Sequence, residues 1–169
     1  MTRVNNTRAR LGGLAVLIVG LVGCGSTETA TPASTVVEAE ASPRAEQLAK
    51  LGAELADAGF GTALPTFRDS LRVLAERGTG DDWLATQDAA RNVVATGSAL
   101  HAMAGDAPVG PLALADVVVF STAIDAVVEA SNPLLLCGAA GECADDIARA
   151  IKEAGRADEA AQHFAGLFG

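Results

Sequence analysis

The chain is poor in the residue types on which most catalytic sites depend. It has no tyrosine, one tryptophan and two histidines among 169 residues, and aromatic residues make up 4% of it. Enzymes that act on sugars usually need aromatic platforms, which this composition does not supply. No phosphate-binding loop and no dinucleotide-binding fingerprint is present. The sequence therefore predicts no cofactor and no catalytic residue, and it favours a protein that is not an enzyme.

Basic residues are also scarce. Lysine and arginine number 12 against 21 acidic residues, which gives a formal net charge of −9 at pH 7. A strongly acidic chain is repelled by nucleic acid phosphates and by anionic lipid head groups. We therefore expect neither nucleic acid binding nor attachment to a membrane through a basic patch.

The first 23 residues follow the plan of a signal peptide. A basic region without acidic residues precedes an apolar run of about a dozen residues, Leu11 to Val22. A membrane-spanning helix needs roughly 20 apolar residues, so this run is too short for a permanent anchor. Arg8 and Arg10 are separated by Ala9, and without an adjacent arginine pair the general secretory route is favoured.

The residues Leu21-Val22-Gly23-Cys24 at the end of this run resemble the lipobox of exported bacterial lipoproteins. The resemblance implies that a diacylglyceryl group joins the Cys24 thiol, that residues 1–23 are removed, and that the mature chain begins at Cys24. Two acyl chains suffice for stable anchoring, at about 0.8 kcal/mol per buried CH₂. The implied location is the extracytoplasmic side of the cell membrane. A chance cysteine after an uncleaved signal anchor is the alternative.

The mature chain consists of a tether and one domain. The removed segment carries three arginines and no acidic residue, so nine basic and 21 acidic residues remain, a formal charge of −12. Residues 24–42 hold the lipidated cysteine and a Ser-, Thr- and Ala-rich stretch without an apolar period, which cannot bury a core. A flexible chain of this length spans about 25 Å. Residues 43–169 form the predicted extracytoplasmic domain.

Apolar residues recur at helical spacing through this domain. We therefore predict an all-α fold, a compact bundle of four to five antiparallel helices. Ser42 as N-cap and Pro43 at the first helical position begin the first helix, and Gly59 and Gly61 end it.

The second helix is predicted to begin at Thr66, with Asp69 three residues later in a capping-box arrangement, and to stop at Gly78. The third runs from the segment 79–82 to about Met103. The fifth runs from about residue 142 to 167 and has the cleanest helical period in the chain. Its C-terminal residues are expected to fray unless their phenylalanines dock.

The fourth helix, from about Leu112 to Ser131, is the most apolar segment of the domain. Its regular polar stripe consists of Ser121, Asp125 and Glu129, a pattern that fits a central helix with one narrow polar edge. A membrane span is the competing interpretation, and the acidic residues within the segment argue against it. A buried strand at 117–120 is a further alternative.

Cys137 and Cys143 flank the turn between the fourth and fifth helices. Export would place them in a disulfide-permissive compartment, and with Cys24 lipidated the count leaves one even pair. We predict a Cys137–Cys143 disulfide that contributes roughly 2–2.5 kcal/mol. Free thiols are one alternative. A redox site would more often show C-x-x-C spacing, and a zinc site needs two further ligands, so no metal is predicted.

The two histidines form the remaining side-chain pairs. Glu159 and His163 are four residues apart and could clamp a metal on one helix face, although di-iron bundles use a spacing of three. His101 follows Ser98 by three residues, but no nucleophile-elbow motif surrounds the serine. We interpret the first pair as surface residues and the second as commonplace in a helix.

Two acidic pairs, Asp81-Asp82 and Asp145-Asp146, invite calcium-binding or catalytic interpretations. Both lie at predicted helix starts, where negative charge complements the helix dipole, and no calcium-loop motif is present. We interpret both pairs as helix-capping residues.

The sequence thus predicts a lipid-anchored helical domain that acts as a non-catalytic interaction or accessory module of the cell envelope, with an unidentified envelope protein as partner. The alternative is a carrier or sensor that binds a small apolar ligand or lipid between its helices. An interaction module should have a solid core and an exposed apolar patch. A ligand binder should have an apolar cavity with a few polar groups.

Overall fold

The computed structural model describes residues 42–168. The predicted signal peptide, the lipidation site at Cys24 and the tether up to residue 41 lie outside the described residues. The described part contains five α-helices: α1 (Pro43–Asp57), α2 (Phe60–Gly78), α3 (Trp83–Asp106), α4 (Leu114–Ser131) and α5 (Ala144–Ala165). Short 3₁₀ turns, Asn132–Leu135 and Ala140–Glu142, precede α5. The predicted all-α fold is confirmed, and no residue from 42 to 168 is in a strand.

The start of α1 agrees with the sequence prediction. The Ser42 hydroxyl accepts the backbone N–H of Ala45 at 3.3 Å, and Pro43 occupies the first helical position. The helix ends at Asp57, and Gly59 follows with a φ of 88°. This left-handed conformation is accessible to glycine at little energetic cost, so the chain can turn directly from α1 into α2.

The predicted start of α2 at Thr66 is wrong, because the helix begins at Phe60. Gly61 does not interrupt it, and the Thr66 hydroxyl donates to a backbone carbonyl one turn earlier at 2.9 Å instead of capping the helix. Pro65 lacks the N–H that would bond to the Gly61 carbonyl, but it lies early enough to leave the remaining ladder intact. The burial of Phe60 and Leu64 offsets the lost hydrogen bond.

The helix α3 begins with the predicted cap. The Asp82 carboxylate accepts the Ala85 N–H at 3.0 Å. The helix continues past the predicted end near Met103 to Asp106, since Ala104 is still part of the core.

The prediction that α4 is a central helix with one narrow polar edge is wrong. Its inner side packs into the core through Val117, Phe120, Ile124 and Val127. Its outer side exposes Leu114, Val118 and Val119. The helix ends before Asn132-Pro133, as predicted. No helix within residues 42–168 is long and apolar enough to cross a membrane.

The helices α2, α3, α4 and α5 form an antiparallel ring in which chain neighbours pack together and α5 packs on α2. The helix α1 lies across one end of this ring and buries Leu51 and Leu55 there. Its Gln47 side chain accepts the N–H of Leu112 before α4, and Phe168 after α5 packs over Gly52. We call this the α1 end, and the opposite end, where α3 and α5 begin, the disulfide end.

Three phenylalanines join α2, α4 and α5 in the core. Phe120 and Phe164 are stacked with ring centroids 4.4 Å apart, and Phe60 meets each of them edge-on at 5.8 Å. Phe168 packs edge-on against Phe164 at 5.1 Å. The C-terminal phenylalanines therefore dock. The predicted period of α5 is confirmed by its buried residues, Ala150, Ala154, Ala157, Ala161 and Phe164.

Candidate functional site

The two predicted disulfide cysteines lie together at the disulfide end. Cys137 follows the first 3₁₀ turn, and the buried Cys143 immediately precedes α5. Their Cα atoms are 6.4 Å apart and their sulfur atoms are at bonding distance. This arrangement fits the predicted disulfide, which would fix the chain between the last turn of α4 and the first turn of α5.

A glutamine on α3 holds the same loop from the other side. Gln87 Nε2 donates to the carbonyl of Leu134 at 3.1 Å and to that of Cys137 at 3.0 Å. Both amide protons are therefore used by one loop, and the loop is fixed to α3 as well as to α5. Sequence reasoning missed Gln87, since a polar residue on an amphipathic helix carries no signal of a partner about 50 residues away.

Two large apolar side chains are exposed at this end. Leu136, in the loop held by Gln87, is 89% exposed, and Leu84, one helical turn before Gln87, is 70% exposed. The single tryptophan, Trp83, is half-buried beside Leu84 and packs against the core. Leu136 lies on a loop held by two hydrogen bonds, and Leu84 lies in the first turn of α3, so both leucines are presented on a preorganised apolar surface. Sequence reasoning did not identify them.

The fold brings both acidic pairs to the disulfide end. Asp82 caps α3, as predicted. The predicted capping by the second pair is wrong, because Asp145 and Asp146 lie within the first turn of α5 and no side chain caps this helix. Within residues 42–168, none of these four aspartates takes part in an ion pair. The helix dipoles stabilise their charges, so the apolar surface lies in a negative field.

The same cluster offers three groups to a metal. One ligand atom each of Cys137, Cys143 and Asp146 lies within 4.8 Å of the others. A zinc site needs both sulfurs as separate thiolates and a fourth ligand. Within the described residues this cluster offers three ligand groups and not four, and the Cα separation of 6.4 Å lies in the usual range for a disulfide, so we keep the disulfide interpretation.

The histidine pairs singled out in the sequence do not form catalytic arrangements. His101 Nδ1 lies 2.8 Å from Asp125 Oδ1, close enough for an ion pair but too poorly aligned for a hydrogen bond. Ser98 is exposed, and no hydrogen bond within the described residues joins it to His101. Glu159 and His163 are both exposed near the end of α5. They therefore remain surface residues.

A groove of about 660 Å³ lies between α2 and α5, away from both ends. Its floor is apolar and is formed by Leu71, Ala75, Ile151, Ala154 and Gly155. At its rim, Arg68 Nε donates to Asp158 Oδ1 at 2.6 Å, and Gln162 Nε2 donates to Asp158 Oδ2 at 2.6 Å. The hydrogen bond from Arg68 lowers the pKa of Asp158. The same hydrogen bond raises the pKa of Arg68. Sequence reasoning missed this ion pair, whose members are 90 residues apart.

Comparisons of the chain with protein-family models, with curated proteins and with solved structures found no match.

Proposed function

We propose that this chain is a lipid-anchored, extracytoplasmic module that binds a partner protein of the cell envelope and catalyses no reaction itself. The observation that carries the proposal is the exposure of Leu84 and Leu136 on a fixed surface at the disulfide end. Near this end the core is filled by buried side chains, among them Leu74, Ala90 and Leu134, which fits a rigid interaction module.

Anchoring is supported by the signal-peptide plan and by the lipobox resemblance that ends at Cys24. We expect the wild-type chain to fractionate with membranes and its N-terminal peptide to carry a diacylglyceryl mass. A Cys24→Ser variant should lose both properties. Recovery of wild type and variant in the same soluble fraction would contradict the anchoring proposal.

The chemistry of the disulfide end indicates a partner with an apolar pocket and a basic rim. The leucines supply apolar contact, and the aspartates Asp81, Asp82, Asp145 and Asp146 supply a surrounding negative charge. Charges at the rim of an interface mainly accelerate association and make it sensitive to salt.

Site-specific photo-crosslinking in the native envelope tests the interface. A photo-reactive amino acid in place of Leu136 should give one discrete protein adduct whose yield falls at high salt. The control position is Ala99, which is exposed on α3 outside the disulfide end. The same adducts at both positions, or none at Leu136, would argue against a protein-binding role for this end.

The groove between α2 and α5 favours a second candidate, a carrier of a small apolar ligand or lipid. Its apolar floor and the few polar groups at its rim are the features expected of a ligand site. Native mass spectrometry of the mature chain should then show an adduct. A Gly155→Leu variant should remove the adduct, because a Cβ at Gly155 meets no heavy atom within 4 Å and the added side chain enters the groove. The matched control is Gly105→Leu, which is equally open but lies on α3.

A further inference from the structure

The outer side of α4 carries an apolar surface that the bundle leaves uncovered. Leu112, Leu114, Val118 and Val119 are between 49% and 60% exposed, and Ala115 lies exposed among them. We call these five residues the α4 face. Residues 114 and 118, and likewise 115 and 119, are one turn apart, so the face extends over about two turns of the helix.

The α4 face contains no unpaired charge, although the chain as a whole has a large acidic surplus. Asp116 is the only charged residue between Gly110 and Ile124. Its carboxylate is mostly buried and lies 2.9 Å from the guanidinium of Arg44 on α1. A contiguous apolar surface of this kind marks an interaction site.

The chain enters the domain at the margin of this face. The ion pair of Arg44 with Asp116 and the hydrogen bond between Gln47 and the N–H of Leu112 hold the first turns of α1 against the start of α4. Residues 25–41 join α1 at this point. If residues 25–41 form the tether predicted from the sequence, a lipid on Cys24 would keep the α4 face within about 25 Å of the bilayer.

We infer that the α4 face rests on the lipid surface, with its leucines and valines in the interfacial region of the bilayer. The inference rests on the proposed anchoring at Cys24. Interfacial helices bury one apolar side to a depth of about 5–10 Å. Here the covalent lipid supplies the attachment and the α4 face sets the orientation.

The C-terminal half of α4 determines how the domain is tilted relative to the lipid surface. Its outer side carries Asp125 and Glu129, whose side chains are 61% and 79% exposed. These carboxylates resist transfer into lipid, so only the N-terminal half of α4 can enter the interface. The disulfide end then points away from the membrane, where a partner protein can reach it. A second copy fits the face less well, because two chains of formal charge −12 repel each other, whereas a zwitterionic lipid surface carries no net charge to repel the chain.

Depth-dependent fluorescence quenching tests the inference on the lipidated mature protein. The natural tryptophan is replaced through Trp83→Phe, and a single reporter is introduced as Val119→Trp or, as the control, Leu84→Trp at the disulfide end. The proteins are reconstituted in phosphatidylcholine vesicles with brominated acyl chains. We expect at least twofold quenching of the Val119→Trp reporter and none of the control.

The outcomes separate this inference from the proposed anchoring. Protein that floats with the vesicles while the Val119→Trp reporter is unquenched overturns the docking of α4 but leaves the anchoring intact. Protein that does not float overturns both. A blue-shifted, unquenched reporter together with a dimer mass identifies a second copy as the occupant and also overturns the docking.

Charge insertion provides the complementary variant. With Leu114→Trp as reporter, the pair Ala115→Asp and Val119→Asp should reduce quenching to the control level and leave flotation unchanged. The matched pair is Ala95→Asp and Ala99→Asp, which is exposed on α3 at the same spacing and should not change quenching. All four positions are exposed, so the thermal midpoint of each variant shows whether the fold is retained. Equal quenching in both double variants would overturn the inference.

Discussion

Gly97 shows, at the scale of single residues, how closely the helices approach each other. A Cβ at this position of α3 would lie 2.8 Å from Val128 Cγ2 and 3.2 Å from Phe67 Cε2. Such a contact forces neighbouring side chains or helices to move. A Cβ at Gly155, in the middle of α5, would meet no heavy atom within 4 Å. The two helical glycines therefore differ only in their surroundings.

We expect Gly97→Ala to lower the free energy of unfolding by about 1–3 kcal/mol, because the added methyl group overpacks the contact with α2 and α4. Gly155→Ala should raise the free energy of unfolding by up to about 1 kcal/mol, because alanine restricts the unfolded chain and favours helix. Urea unfolding monitored by circular dichroism measures both. Equal effects of the two substitutions would contradict the close approach at Gly97.

The ion pair of Asp158 with Arg68 makes stability dependent on pH. The hydrogen bond from Arg68 lowers the pKa of Asp158 from its ordinary value of 3.8. A carboxyl whose folded-state pKa is lowered contributes stability above the unfolded-state value, and the contribution is lost as the pH falls through the folded-state pKa. The side chains of Arg68 and Asp158 are 41% and 34% exposed, so solvent screening keeps the contribution small.

We therefore expect Asp158→Asn to lower the free energy of unfolding at neutral pH by no more than about 1 kcal/mol. The difference from wild type should shrink at about pH 2, because the carboxyl takes up its proton as the pH falls through its lowered folded-state pKa. The urea midpoints of wild type and Asp158→Asn at neutral pH and at about pH 2 measure this stability difference. Asp88→Asn removes a more exposed carboxylate, paired with Arg91, and serves as the control. A difference that persists unchanged at low pH would show that packing, not charge, is responsible.

At the scale of elements, the loop between α4 and α5 is held from two sides. The Cys137–Cys143 pair joins it to the start of α5, and Gln87 joins it to α3. A disulfide between these cysteines would close only a short segment, so it would reduce the conformational entropy of the unfolded chain only modestly. The second depends on the packing of α3 against the loop and acts only in the folded state.

We expect the double variant Cys137→Ser, Cys143→Ser to lower the free energy of unfolding by about 2–2.5 kcal/mol relative to the oxidised protein. Reducing agent should lower the stability of wild type by the same amount and leave the double variant unchanged. Calorimetry with and without reductant measures both effects. Wild type that does not respond to reductant, and whose mass equals that of the reduced chain, would show that the cysteines are free thiols.

At the scale of the whole molecule, acidic residues outnumber basic ones by 21 to 12. Residues 42–168 contain nine basic and 18 acidic residues. Each ion pair uses one acidic and one basic residue, so the pairs leave this surplus unchanged. Glu54 and Asp106 line the same shallow pocket at the α1 end, and Asp57 lies beside Glu54 in the last turn of α1. Acidic residues at a helix C-terminus also oppose the helix dipole. Net repulsion should therefore destabilise the folded chain at low ionic strength.

We expect the thermal midpoint to rise as sodium chloride increases from about 0.01 M to 0.3 M, because salt screens this repulsion. The double variant Glu54→Gln, Asp57→Asn should have a higher midpoint at low salt and a smaller response to salt. Differential scanning fluorimetry across the salt series measures both. A thermal midpoint that falls with salt would mean that the ion pairs stabilise the folded chain by more than the surplus negative charge destabilises it.

The sequence by itself determined the features that depend on neighbouring residues. The caps at Ser42 and Asp82 need only a backbone N–H three residues away, and the period of α5 needs only its own apolar residues. The short spacing of Cys137 and Cys143 likewise brings the sulfurs together once a turn forms. Each of these features is local, so propensity and periodicity predict it.

Only the tertiary structure decided the features that depend on distant residues. Gly61 and the capping-box pattern of Thr66 and Asp69 predict a late start of α2, and the burial of Phe60 against α4 and α5 overrides these local signals. The sequence of α4 is apolar on nearly every side, so only the positions of α3 and α5 determine that Val117 is buried while Val118 is exposed. The physical reason is that burial is a property of the assembled bundle, whereas the sequence pattern records only what each helix is able to bury.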